Sequence, residues 1–269
     1  MRKATLKSIF TVLTPLLLMT WGCQSPDPLA DAGPPPEGMT TTQWQVQLAS
    51  TPTTPPDLRS AALEALAASP VGGESLSRKL YQDVLLDPQT DATVSATCAL
   101  ALERHSQQGD GQGDAKTVAT LLTHDTAYTR WVAAVVLQRI HDPSVTGELI
   151  RTLDDEDADV RTAIAMALGQ YPRRDVYDAL VQALEDADYG VARAAQHSLT
   201  LIADHDGDDD PSAWLSHAKN RGAKLFETPR PYTYDRYDGT GGRNGVLRRM
   251  MGKRDALISE TPTKSKTKD

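Results

Sequence analysis

Apolar residues recur along this chain at the spacing of one helix face, and they recur in copies. Val160, Ala163, Ile164, Ala167 and Leu168 stand at i, i+3, i+4, i+7 and i+8, a single stripe of a 3.6-residue period. An acidic turn precedes them, Leu153-Asp154-Asp155-Glu156-Asp157-Ala158-Asp159-Val160-Arg161. Shifted towards the C-terminus so that Val160 falls on Val191, the template also meets Leu184, Asp186, Ala194, Ala195, Ser198 and Leu199. An equal shift the other way brings Arg161 onto Arg130, and Leu122, Asp125, Val132, Ala133, Val136 and Leu137 fall into place with it. Two more copies fit with altered loop lengths. One runs through Val94, Thr97, Cys98, Ala101 and Leu102, the other through Leu58, Arg59, Ala61, Ala62, Ala65 and Leu66.

Each of these five copies carries a second helical pattern. Val145, Leu149, Ile150 and Leu153 form it in one, and Val176, Leu180, Val181 and Leu184 repeat it one period later. Asp142-Pro143 and Asp210-Pro211 supply helix starts, an oxygen cap followed by a ring fixed at helical φ. No strand pattern interrupts the series. A helical hairpin of this size cannot bury both faces alone, so the copies are expected to stack into an all-α, right-handed α-solenoid. The alanines of each first helix let neighbours approach closely.

The acidic turn with Val-Arg, followed by an Ala-rich helix ending in Ala167-Leu168-Gly169, resembles the HEAT-repeat family in its short bacterial form, also found in phycobilisome lyase subunits. The resemblance covers about residues 41–222. It implies that Arg59, Arg130 and Arg161 bond along the stack to neighbouring turns. Ser95 and Ala192 hold that place in the second and fifth copies, with Arg193 beside the latter. Trp44 and Leu48, four apart, mark a lone helix capping the front. Asp210-Pro211-Ser212-Ala213-Trp214-Leu215 resembles the Trp-bearing last helix of such arrays.

A solenoid binds through its inner surface, normally made by the second helices. Their alignment puts Arg78, Lys116, Gly147 and Asp178 in one polar row, and Gln82, Thr120, Arg151 and Gln182 in another. A mixed-charge groove suits a protein or peptide better than a phosphate polymer; a merely solvated face is the alternative. Trp131 aligns with Thr162 and Arg193, both polar, which marks it as exposed and a candidate binding hot spot. Packing against the preceding repeat is the other reading.

The N-terminus carries an address. Arg2, Lys3 and Lys7 precede an apolar run from Ile9 to Met19, about half the ~20 residues a membrane-spanning helix needs. Gly22-Cys23 follows. This resembles a lipoprotein signal, in which the cysteine thiol is diacylated and becomes the new N-terminus. The family prefers Leu and a small residue three and two places earlier; here stand Thr20 and Trp21. Gln24 is not the Asp that in enteric bacteria favours inner-membrane retention, so the resemblance implies the outer membrane or periplasmic face. The expected layout is a signal peptide at 1–22, a lipidated Cys23 with a Pro-rich spacer to residue 39, an array over 40–226, and a basic, mostly disordered tail over 227–269. Within the tail, Pro231-Tyr232-Thr233-Tyr234 with Tyr237 is expected to be extended, and Val246 to Ile258 a partner-induced basic helix.

Charge is divided along the chain. The 269 residues carry a net −8, but residues 219–269 hold +7 and residues 23–218 hold −18. A basic tail is therefore expected either to lie on its acidic body or to reach an anionic envelope surface. An acidic body on an exported chain argues against nucleic acid.

Candidate chemistry adds little. With Cys23 acylated, Cys98 has no disulfide partner, and its apolar setting reads as a buried inert thiol. The acidic turn from Asp204 to Asp210 resembles a calcium loop, but its sixth and twelfth places hold Asp209 and Leu215 rather than Gly and Glu. His124-Asp125 and His141-Asp142 resemble a phosphohydrolase dyad, yet both fall at helix ends, where they act as caps. No cofactor, metal site, catalytic residue or membrane span in the mature chain is expected. The leading expectation is a lipid-anchored envelope scaffold with a protein partner. The rivals are an enzyme or enzyme subunit of the bilin-lyase-like type, and a structural array whose tail binds anionic envelope polymer.

Overall fold

The computed structural model describes residues 28–106, 111–234 and 258–260. Cys23, the signal segment, Tyr237 and residues 246–257 lie outside them.

A short helical turn, α1 (Pro28–Asp31), precedes the array. The array itself begins with a lone helix, α2 (Thr41–Ser50). Its start is a capping box: Gln43 N–H donates to Thr40 Oγ1 at 3.2 Å, and Thr40 N–H donates to Gln43 Oε1 at 2.9 Å. Five helix pairs follow. They are α3 (Pro56–Ala68) with α4 (Ser75–Leu86), α5 (Ala92–Arg104) with α6 (Gly111–Ala119), α7 (Ala127–Ile140) with α8 (Thr146–Thr152), α9 (Ala158–Leu168) with α10 (Arg174–Ala183), and α11 (Tyr189–Ala203) with α12 (Pro211–Arg221). First helices stack on first helices, in the order α2, α3, α5, α7, α9, α11. Second helices form a row of their own beside them. This is the all-α solenoid that the periodicity predicts.

The same local chemistry starts successive first helices. The Asp157 carboxylate accepts from the amides of Asp159 and Val160, and its counterpart one repeat on, Asp188, accepts from those of Gly190 and Val191. Each cap satisfies donors that the first helical turn leaves open, worth about 1 kcal/mol. The stripe then buries: Val160, Ile164, Ala167 and Leu168 are sealed, as are Val176, Leu180 and Val181 on the following helix. Full burial of a leucine or isoleucine contributes roughly 1.5–3 kcal/mol.

α9 and α11 approach closely at Gly169. A Cβ there would lie 2.6 Å from Ser198 Oγ and 3.0 Å from Ser198 Cβ. Ser198 Oγ itself donates to the Ala165 carbonyl at 2.7 Å, across the two helices. Gly169→Ala should therefore destabilise the array by about 1–3 kcal/mol through overpacking. Ser198→Gly in the same chain should recover part of that loss in urea titrations.

One element differs from the sequence reading, and a second is the extended segment expected from Pro231 to Tyr234. α1 lies within the Pro-rich spacer and rests on α3, with Leu29 packed against the core. The spacer is therefore seated on the first pair. Beyond the last helix, β1 (Tyr232–Tyr234) pairs antiparallel with β2 (Ile258–Glu260). The first part of the tail is thus built structure, held by contacts distant in sequence.

Candidate functional site

The stacking arginines form a ladder. Arg130 on α7 donates from Nε and Nη2 to the two oxygens of Asp155, at 2.7 and 2.9 Å. Its Nη1 donates to the carbonyls of His124 and Asp125, and Nη2 also reaches Glu156 at 3.2 Å. Arg161 repeats the pattern one copy on, with Asp186 at 2.8 and 2.9 Å and the carbonyls of Asp155 and Glu156. The guanidinium beside Asp186 holds that carboxyl below its ordinary range, against the opposing effect of burial. At the front, Arg59 Nε donates to the Ala49 carbonyl at the end of α2, at 2.7 Å. Ser95 is buried, and Arg193 bonds to Gln196 on its own helix at 2.8 Å rather than along the stack. The ladder groups hold repeats together and are spent on doing so.

The second-helix rows divide differently from their sequence alignment. Arg78 is buried and paired with Asp114, which is wholly buried, and Gln82 Nε2 donates to the same carboxylate at 2.9 Å. These three tie α4 to α6. Asp178 is half-buried and accepts from Arg174 Nε at 2.9 Å. What faces solvent is Lys116, Thr120, Gly147, Arg151 and Gln182. Thr120 Oγ1 donates to the Thr117 carbonyl, and Arg151 pairs with Glu148 at 3.3 Å in an exposed contact of little energetic weight.

Trp131 is 40% exposed and Tyr128 53%, and their rings stack with centroids 6.3 Å apart. Leu100, on the preceding first helix, is also exposed. The sequence reading named only Trp131. The i, i+3 spacing of Tyr128 and Trp131 was the signal for the pair.

The other candidate groups are occupied. Asp210 caps α12 through Ser212 N–H at 2.8 Å, while Asp204 and Asp206 receive Arg230, at 2.7 Å each. Asp142 accepts from Ser144 N–H, as a cap does, and His124 Nδ1 accepts from Thr126 N–H. Burial pushes the Cys98 thiol up to about 12, which keeps it protonated and unreactive. Among the described residues, no group of three or more His, Cys, Asp or Glu is placed to hold a metal ion. No helix among them is long and apolar enough to cross a membrane.

Comparison with known proteins bears on the repeats. No curated protein matches the chain. Two solved structures are similar in part. One is the crystal structure of an engineered protein, at 18% identity and a TM-score of 0.49, covering 81% of this chain and 91% of that one. The other is human deoxyhypusine hydroxylase in complex with glycerol, at 20% identity and a TM-score of 0.32, covering 69% and 70%. The family model for HEAT repeats matches residues 115–200. That span holds α7 to α10 and most of α11, with the Arg130 and Arg161 rungs. Residues 115–200 are therefore similar to HEAT repeats, and they lie within a longer all-α array of like helix pairs.

Proposed function

We propose that this chain is a lipid-anchored scaffold of the bacterial cell envelope that holds a protein partner on its second-helix face. The observation that carries the reading is the line of Lys116, Arg151 and Gln182, exposed on successive second helices and, among the described residues, not tied across repeats. Lys116 and Arg151, with Glu148 and Asp178 on the same row of helices, make a polar, mixed-charge surface, which fits a polar protein segment. The stacked Tyr128 and Trp131 rings on the first-helix side give such a partner a second, aromatic contact.

Pull-down after in-cell crosslinking tests the face. A Lys116→Ala/Arg151→Ala/Gln182→Ala variant should lose a protein that wild type retains, read by mass spectrometry. Identical capture by both would sink the second-helix face and transfer the search to Tyr128 and Trp131.

The anchor rests on the sequence around Cys23. Several acyl chains hold a protein firmly, since each buried CH₂ contributes about 0.8 kcal/mol. Cys23→Ser should move the protein from the membrane pellet to the soluble fraction. Unchanged sedimentation would remove the lipid anchor from the proposal.

A further inference from the structure

Part of the array's surface is covered by the chain itself. After α12 the backbone turns back across the C-terminal ends of α11, α9 and α7. Arg230 N–H donates to the Leu201 carbonyl at 2.7 Å. The Arg230 guanidinium reaches Asp204 through Nε at 2.7 Å and both oxygens of Asp206 at 2.7 and 3.0 Å. Two residues on, the Tyr232 side chain is wholly buried. Its hydroxyl donates to the Met166 carbonyl at 2.8 Å and accepts from the Gln138 side-chain amide, and the His141 ring meets it edge-on at 6.5 Å.

We propose that this edge is a recognition site for an extended Arg-x-Tyr segment, filled by the chain's own residues 228–234. The chemistry is selective at both anchors. A bidentate fork on Asp206 suits arginine and not lysine. A buried hydroxyl that both donates and accepts suits tyrosine and not phenylalanine, which leaves the Gln138 amide without this partner and the Met166 carbonyl with only its bond from the Gly169 amide. Pro229 and Pro231 flank Arg230 and fix φ on either side of it, so the segment is extended before it docks and loses little freedom on doing so. Proline also removes amide donors that this edge does not use.

The site is built to exchange its occupant. Its charged anchor is on the surface: the Arg230 side chain is 34% exposed and that of Asp206 81%. Ion pairs so open to water and salt bind weakly. His141 and Asp204, which both touch the segment, stand in the left-handed region at φ 57° and 48°, closing α7 and α11. The segment thus reads three successive first-helix ends at once, and its release uncovers all three.

The test uses the full-length chain with Arg230→Ala/Tyr232→Ala, which removes both side-chain anchors of the segment. The probe is a labelled peptide of residues 228–234, followed by fluorescence anisotropy, with helix content checked by circular dichroism. The expected result is binding at least tenfold tighter to the variant than to wild type, whose site is filled. A control peptide carrying Arg230→Ala and Tyr232→Phe should bind neither. A folded variant that ignores the peptide, or binds both peptides alike, overturns the proposal. Should the variant lose its helices, hydrogen exchange decides. The Arg230 amide should be protected in wild type and exchange at least tenfold faster in Asp206→Asn. Free-chain exchange at that amide in wild type, or equal protection in both proteins, overturns the proposal.

Discussion

Arg130→Ala should lower the unfolding free energy of the array by about 3–5 kcal/mol, the cost of stranding a buried ion-pair partner. The side chains of Arg130 and Asp155 are 8% and 7% exposed, so the pair is largely shielded from water. Arg130 also satisfies the carbonyls of His124 and Asp125 and reaches Glu156, so four residues lose its donors together. Arg130→Lys should recover only a fraction, because an ammonium cannot span both carboxylate oxygens and two carbonyls. Urea titration followed by circular dichroism checks this; a loss under about 1 kcal/mol would show the rung to be incidental.

The same pair sets a pH dependence. Burial alone would raise the Asp155 carboxyl, but hydrogen bonds from Arg130 and from the Asp157 amide, with the charges of Arg130 and Arg161, outweigh it and hold it low. A carboxyl depressed in the folded state contributes its full stability above its unfolded value, about 3.9. That contribution is lost as pH falls through the lower folded value. Wild-type stability should therefore drop in acid below about pH 4, and Arg130→Ala should flatten that drop.

Trp214→Ala should be comparably damaging, at about 3–5 kcal/mol. The indole is sealed from solvent, its Nε1 donates to the Asp208 carbonyl at 2.7 Å, and its ring stands against Tyr177 and His205. Tyr177 in turn donates its hydroxyl to the Trp214 carbonyl at 2.7 Å. A Cβ on Gly207 would come within 2.5 Å of the indole, so the turn is shaped around the ring. Trp214 joins α12 to α10, and its loss should free the last helix before the rest. Limited proteolysis should then cut between residues 204 and 222 while α3 to α10 stay intact. Protection unchanged from wild type would show that α12 is held by other contacts.

The repeats were legible because their signals are local and periodic. Asp157 returns as Asp188, Arg130 as Arg161, and the Val160 stripe as the Val191 stripe, all at one spacing, so each copy supports the others. The binding rows were less legible. Arg78 resembled Lys116 in alignment, but its partner Asp114 lies on the next second helix, across a loop of altered length, and nothing periodic links the two. A buried ion pair between repeats is a one-off solution that self-comparison averages away. The docked tail was the least legible element. Its composition is that of an unfolded segment, and Tyr232 is buried only because Gln138, His141 and Met166, on remote helices, leave a slot for it. The opposite charges of tail and body left two outcomes open, a tail on its own body or on an anionic envelope surface, and the contact of Arg230 with Asp204 and Asp206 is of the first kind.

The ladder's break at Ser95 has a mechanical consequence. From α7 to α11, bidentate rungs cross each junction at 2.7 to 2.9 Å. Between α5 and α7 the polar ties include Arg139 to Glu103 and Thr129 to the Ala92 carbonyl, each at 3.4 Å. The bidentate ties are thus concentrated towards the C-terminal end, and the second junction depends more on apolar packing. Tension applied between the two ends should therefore part that junction before the two that Arg130 and Arg161 bridge.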